Sequence, residues 1–424
     1  MPEKSSVKKI SNWIMNLVLI SPLPWMILVT AVGLAWDKLW VWVQKIRIVM
    51  YVKKYLSIIF QKMGQKLLID PRNTPYLYVI FGIGIYIPTL FALAFYWQIN
   101  YGVNASWPLV ILVAFIYHVL LMGPYFTFFA FVSTLTHKEG HDRRGFFKKP
   151  YKFLNYSLRW FISIFYGHVP ETYTTGHLAI HHRFDNEPED TVSTMGLDRR
   201  VPSEWFFYLR KFALMWTGIS NIQFFIKHKQ KKMFVRMGLG MLIYYGLIAT
   251  VSFINPWFGF AYLILPFMCV IVYFSAINYI WHAFCDPKDT KNEYVNSLTI
   301  LDGHYNVFNE DYHVIHHNFP QVHWTEIKQH YIDNEESYKK NTASVFRDTQ
   351  PFEMFIWLIL KRTDLLAKHF VDFTGKLSLE EKIALLENRM QPIASPAPIP
   401  TNLTGDSDFA TPPLQEELSY ITRE

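Results

Sequence analysis

The chain has 424 residues with 41 Lys and Arg against 34 Asp and Glu, so 18% of it is charged and its formal net charge is +7; ordinary soluble chains run near ~25% charged. The deficit is local, because Ile10–Trp36, Asn73–Thr136 and Met237–Cys285 contain no charged residue at all. A soluble globular enzyme, a disordered chain and a secreted disulfide scaffold are excluded, as is a pure channel or carrier with short loops.

In chain order, the first apolar block carries Ser21-Pro22-Leu23-Pro24 in its middle and reads as one kinked span or a shallow re-entrant pair. No small-residue cleavage site follows it, so no cleavable signal is expected. A helix needs about 20 apolar residues to cross the hydrocarbon. The second block therefore holds two crossings, 75–97 and 107–136, with a polar turn over 98–106. The third reads likewise, with spans over 234–254 and 257–281 and a turn at Asn255-Pro256-Trp257. Both are helical hairpins. Their turns lack Lys and Arg, whereas the segment from Lys138 to Arg236 holds 17 of them against 9 acidic residues. The turns are thus expected outside and everything between and after the hairpins in the cytoplasm. Lys38 to Lys66 is basic too and agrees with that orientation. A span over 107–136 would be about 45 Å long as a straight helix, enough to carry its end beyond the membrane.

Basic loops beside anionic lipid account for the net charge, and no nucleic-acid partner is expected. The run Lys227, Lys229, Lys231, Lys232 and Arg236 is read first as contact with anionic lipid and second as a dock for an acidic electron donor. Two cysteines, Cys269 and Cys285, offer no disulfide framework and no thiolate metal site. Near the C-terminus, Ser378 and Glu381 form a capping-box pattern, and Leu379, Ile383 and Leu386 share one face of a short surface helix. The tail from residue 391 to 424 is proline-rich over its first part and reads as disordered.

Nine of the 16 histidines fall into four groups. His137 and His141 follow the second span, His177, His181 and His182 lie in the large loop, His282 closes the fourth span one turn after Asn278, and His313, His316 and His317 come after it. All four groups fall on the cytoplasmic side of a topology drawn without them. Spacings of three and four bring side chains to one helix face, so each group presents its imidazoles in one direction. Imidazole suits iron, zinc, copper or nickel, and nine exceed what one ion binds, so two ions sharing the site is the economical reading. Of the remaining seven, His118 sits in mid-span as a packing or hydrogen-bonded residue, and His304 stays open between ligand, supporting residue and surface.

These boxes resemble those of the membrane fatty acid desaturase and hydroxylase superfamily of non-haem di-iron proteins, over roughly residues 75–324. His137-Lys138-Glu139-Gly140-His141, the three-residue gap before His181-His182, Pro188-Glu189-Asp190, Asn278-Tyr279-Ile280-Trp281-His282 and Phe308-Asn309 are similar to the alkane hydroxylase branch. His316-His317-Asn318-Phe319-Pro320 is similar to the ending of acyl desaturases, and the first box lacks the His-Glu start of alkane hydroxylases. The resemblance implies two iron ions held by His137, His141, His177, His181, His182, His282, His313, His316 and His317, with Asn278 reaching iron through water. Imidazoles bound to metal need acceptors on their other nitrogen; Asp142, Asp185, Glu189, Asp190, Glu310 and Asp311 are the candidates by proximity.

The expected protein is an all-α polytopic membrane oxidoreductase: two transmembrane hairpins, an N-terminal membrane element and a helical cytoplasmic cap carrying the di-iron site. Residues 1–72 form the N-terminal element and basic segment, 73–324 the desaturase-like domain, 325–390 a C-terminal helical region and 391–424 the tail. The implied activity is O2-dependent oxidation of an unactivated C–H bond in a membrane lipid or acyl substrate, desaturation of a fatty acyl chain first and, as the alternative, monooxygenase hydroxylation of a fatty acyl chain or alkane. Electrons are expected from a separate ferredoxin, rubredoxin or cytochrome-type donor, since the chain has neither the cysteines nor the His-Pro-Gly-Gly motif of a fused one. The competing classes are a histidine-rich metal transporter, a haem-binding membrane protein and an intramembrane zinc hydrolase.

Overall fold

A computed structural model describes residues 3–142 and 144–393; the expected disordered tail lies, from residue 394 on, outside the described residues. The protein is mostly helical. Helix α1 (Glu3–Ile20) and helix α2 (Leu23–Gln44) are divided at Ser21-Pro22 but run on closely enough for Ile10–Gln44 to form a single stretch long and apolar enough to cross a membrane. Three more helices meet that test, Pro71–Asn100, Lys231–Ile254 and Pro256–Trp281. Lys231–Ile254 turns apolar side chains outward, Phe253 at 91% exposure and Leu242 at 71% among them, whereas most of Pro256–Trp281 is buried. In water such faces would be unstable; against lipid tails they are satisfied.

The expected straight crossing over 107–136 is corrected. Trp107–Met122 and Pro124–His141 meet at an angle of 44°. Gly123 takes a left-handed φ of 73°, which a side chain would resist, and Pro124 after it supplies no amide hydrogen to continue the ladder. The ring of Phe128 fills the space a Cβ on Gly123 would need. From the following loop regions, Tyr305 stacks on Tyr125 at 4.1 Å and donates its hydroxyl hydrogen to the Tyr125 carbonyl at 2.9 Å, which holds the bend. Helix α2 packs along the same bend, with the Phe126 ring against Gly33. It is the redirected segment Thr127–His141, rather than the overhang of a straight helix, that carries the first histidine box.

The helices Lys231–Ile254 and Pro256–Trp281 are divided at Asn255, the expected turn position, where the side-chain oxygen accepts from the Phe258 amide at 2.8 Å and caps the next helix. The first of the two begins at Lys231, three residues before the expected span over 234–254. The fold also departs from all-α: strands β1 (Thr299–Leu301) and β2 (Val345–Arg347) pair in parallel, Ile300 opposite Phe346. The capping box at Ser378 and Glu381 forms in both directions. The helix it starts, Leu379–Arg389, is anchored more deeply than a surface helix. Leu386 is fully buried, and the Arg389 guanidinium donates to the Thr342 carbonyl at 2.6 Å while its own carbonyl accepts from Cys285 and Arg199.

Candidate metal centre

The four histidine groups converge, but not box by box. His137, His141, His177, His182 and His316 bring one ring nitrogen each into one cluster, and His181, His282, His313 and His317 into another, with the nitrogens of each cluster within 4.8 Å of one another. Both His-His pairs are therefore split, His181 from His182 and His316 from His317. Local backbone explains the first split. Tyr173–His181 winds as a π-helix, and the His182 amide bonds back to the His177 carbonyl, five residues earlier. That register sets His177 over His182 rather than over His181. In the third box the ordinary helix His313–Asn318 pairs His313 with His317 and turns His316 toward the other cluster. The expectation that each box presents its imidazoles in one direction is thus overturned for both three-histidine boxes.

Within the first cluster the Nε2 atoms of His137 and His177 lie 2.6 Å apart, His137 and His141 3.1 Å, His177 and His182 3.0 Å, and His182 and His316 2.8 Å. In the second, His282 and His313 are 3.3 Å apart and His313 and His317 3.2 Å. Ligands at a typical metal–imidazole distance of ~2.0–2.1 Å stand about 2.9 Å from one another at right angles. Converging lone pairs at that separation repel unless a cation lies between them, so the donor set fits two metal ions.

Four of the nine outward nitrogens are held by acceptors. His181 Nδ1 pairs with Asp190 at 2.6 Å, His317 Nδ1 with Asp185 at 2.9 Å and His137 Nδ1 with Glu310 at 3.2 Å, while His282 Nδ1 meets the Asn296 carbonyl at 3.0 Å. Each such bond places the proton on Nδ1 and leaves the Nε2 lone pair facing its cluster. Lys138 pairs with Glu310 on the far side. Burial would raise the Glu310 carboxyl, but Lys138 and His137 beside it draw it down to about 2, so it stays ionised. Burial and then mutual repulsion hold His177, His182, His313 and His316 well below the usual imidazole range, which keeps them neutral. His313 instead stacks on Trp281, ring centres 4.1 Å apart.

Of the six carboxylates expected nearby, Asp185, Asp190 and Glu310 pair with cluster histidines. Asp142 accepts from the amides of Arg144 and Gly145 instead, and neither Glu189 nor Asp311 makes an ion pair with a histidine among the described residues. The amide nitrogen of Asn278 donates to the Tyr208 hydroxyl at 2.6 Å. His118 accepts from Trp25 Nε1 at 3.0 Å, as a hydrogen-bonded packing residue. His304 is exposed and belongs to neither cluster. Arg236 turns inward from the basic run to Glu171, 2.5 Å away. Glu171 also faces Arg159, whose Nε lies 3.2 Å from Glu139, so one ionic chain ties the first box to the loop before the second.

A membrane-spanning helical protein with paired histidine clusters is the class these features define. A family model for fatty acid desaturases matches residues 105–348, more than half the chain and all four histidine groups, and the chain belongs to that family. All nine clustered histidines fall inside the match. No curated protein and no solved structure matches it. It is therefore an integral membrane oxidoreductase of lipid metabolism.

Proposed function

We propose that this chain is a di-iron desaturase of a fatty acyl lipid. The observation that carries the reading is the partition of nine buried or half-buried imidazoles into clusters of five and four, each backed by a carboxylate. His137, His141, His177, His182 and His316 would hold one iron, and His181, His282, His313 and His317 the other. Two irons with O2 supply the oxidising power that an unactivated C–H bond demands, since such a bond has no acidic proton for a base to take.

The protein's own residues orient and shield. Asp190, Asp185, Glu310 and the Asn296 carbonyl fix the rings of His181, His317, His137 and His282 so that their Nε2 lone pairs point inward. Asn278, one turn before His282, is the candidate for holding a water near the second cluster. The acyl chain enters from the membrane between the spans while its head group stays at the cytoplasmic face, the side that the basic flanking segments favour for the clusters. Two electrons come from a separate donor. In balance, a –CH2–CH2– unit, O2, two electrons and two protons give –CH=CH– and two waters.

Expression with a donor system, followed by mass spectrometry of the lipids, tests this. The expected result is a product two hydrogens lighter with an alkene, lost together with bound iron in His181→Ala. An alcohol without an alkene would assign hydroxylation instead, and iron-free turnover would remove the ligand assignment.

A further inference from the structure

Helix α3 (Arg47–Leu67) follows the first candidate span and leads into the second. Its 21 residues include five Lys and Arg and no acidic residue, and it is not among the helices apolar enough to cross. Yet it is far from polar. Ile48, Val52, Tyr55 and Ile59, at spacings of four, three and four, form one stripe, with Ile48 at 70% and Tyr55 at 68% exposure. Arg47, Lys54, Gln61 and Gln65 occupy a second side, about 120° round from the stripe, and are exposed as well. A third side meets the protein, where Phe60 lies against Tyr78 at 4.3 Å and Gly64 admits Thr74 at its backbone.

The C-terminal end of α3 is joined to a second segment with the same character. Leu68 and Phe147 form an antiparallel bridge, Ile69 donates to the Phe146 carbonyl at 2.9 Å and Lys148 to the Leu67 carbonyl at 2.9 Å. Residues 144–156 then contribute exposed Arg144, Lys148, Lys149 and Lys152, again without an acidic residue, beside exposed Phe153 and Tyr156. Nine cations with no acid among them and a row of bulky exposed apolar side chains thus occupy one hydrogen-bonded platform, whose second segment begins three residues after His141.

We infer that α3 and the 144–156 segment form an interfacial platform that lies in the plane of the membrane and engages anionic phospholipid head groups. Both ends of α3 adjoin membrane spans, so a 21-residue helix of about 31 Å must run along the surface between them. The apolar stripe sinks to the level of the acyl boundary, and the lysines, with long apolar stems, reach back to the phosphates. Charge complementarity selects the lipid, because a cationic platform with no carboxylate gains more from a head group of net negative charge than from a zwitterionic one. The inference rests on membrane residence and not on the metal chemistry.

The test uses the full chain in phosphatidylcholine bilayers with and without phosphatidylglycerol. Spin labels at Ile59→Cys and Gln61→Cys report depth; both native cysteines are buried. The Ile59 label is expected to meet oxygen rather than an aqueous nickel chelate, and the Gln61 label the reverse. Spin-labelled phosphatidylglycerol should associate more than phosphatidylcholine, by about fivefold for each engaged lysine at low salt. The preference should fall toward parity in Lys53→Gln/Lys54→Gln/Lys62→Gln/Lys149→Gln/Lys152→Gln. An Ile59 label open to the nickel chelate, equal association of the two lipids with the native chain, or labels shielded from both probes in a dimer would each overturn the inference, the last by showing that a second copy covers the stripe.

Discussion

Replacing Asp190 by Asn separates the two clusters experimentally. Asp190 is buried, its carboxylate sits 2.6 Å from His181 Nδ1, and its other oxygen accepts from the Val192 amide at 3.0 Å. An amide of the same shape keeps the Val192 contact but loses the charge-assisted bond, a loss of about 1.5–3 kcal/mol for a hydrogen bond to a charged group. His181 is then free to rotate or to place its proton on Nε2, facing the cluster. Loss of such an orienting partner lowers metal affinity by roughly 10–100-fold. The four-histidine cluster should therefore empty first. Iron measured per chain across a chelator series should fall from two to one in Asp190→Asn under conditions where the native protein holds both. Glu310→Gln, which releases His137, should weaken the five-histidine cluster instead and leave His181 undisturbed. Identical chelator profiles for native protein and Asp190→Asn would refute the orienting role.

Three further outcomes follow from the packing. Gly123→Ala places a methyl group at a φ of 73° against the Phe128 ring and is expected to cost at least ~1–2 kcal/mol, seen as a lower thermal unfolding midpoint in detergent. An unchanged midpoint would mean that the bend relaxes freely. Arg389→Ala strips the partner from the Thr342 carbonyl and leaves a cavity beside Phe370, and should destabilise by about 3 kcal/mol or more, with Arg389→Lys recovering little because it lacks the planar fork. Glu171→Gln leaves Arg236 without its carboxylate and weakens the hold on Arg159, so it should destabilise by about 3–5 kcal/mol; Arg236→Gln in the same chain should recover part of that loss in a double-mutant cycle.

Much of this organisation is visible in the residues alone, for identifiable reasons. A bilayer excludes charge, so the three charge-free blocks mark the spans, and nine histidines in four groups stand out because imidazole is uncommon at such density. What stays hidden depends on backbone register. An ordinary helix pairs His177 with His181; the π-helical turn pairs it with His182, and nothing in the side chains of Tyr173–His181 announces five-residue spacing. The Asn296 carbonyl that meets His282 is main chain, which every residue has. The Gly123-Pro124 step is a readable break, but within an unbroken apolar run it is masked by the length of the block. Strands of three residues, Thr299–Leu301 and Val345–Arg347, are too short to show alternation. The Ser378–Glu381 capping box is legible because it is local, whereas the burial of Arg389 at the end of the same helix is decided by distant partners, Thr342 and Ser344.

The measurement that bears most directly on the whole account is elemental analysis of the purified full-length protein. Two irons per chain are expected, with zinc absent and both irons lost when His182 and His317 are replaced together, one from each cluster. A single zinc per chain, or no bound metal in protein that is folded and embedded in lipid, would contradict it.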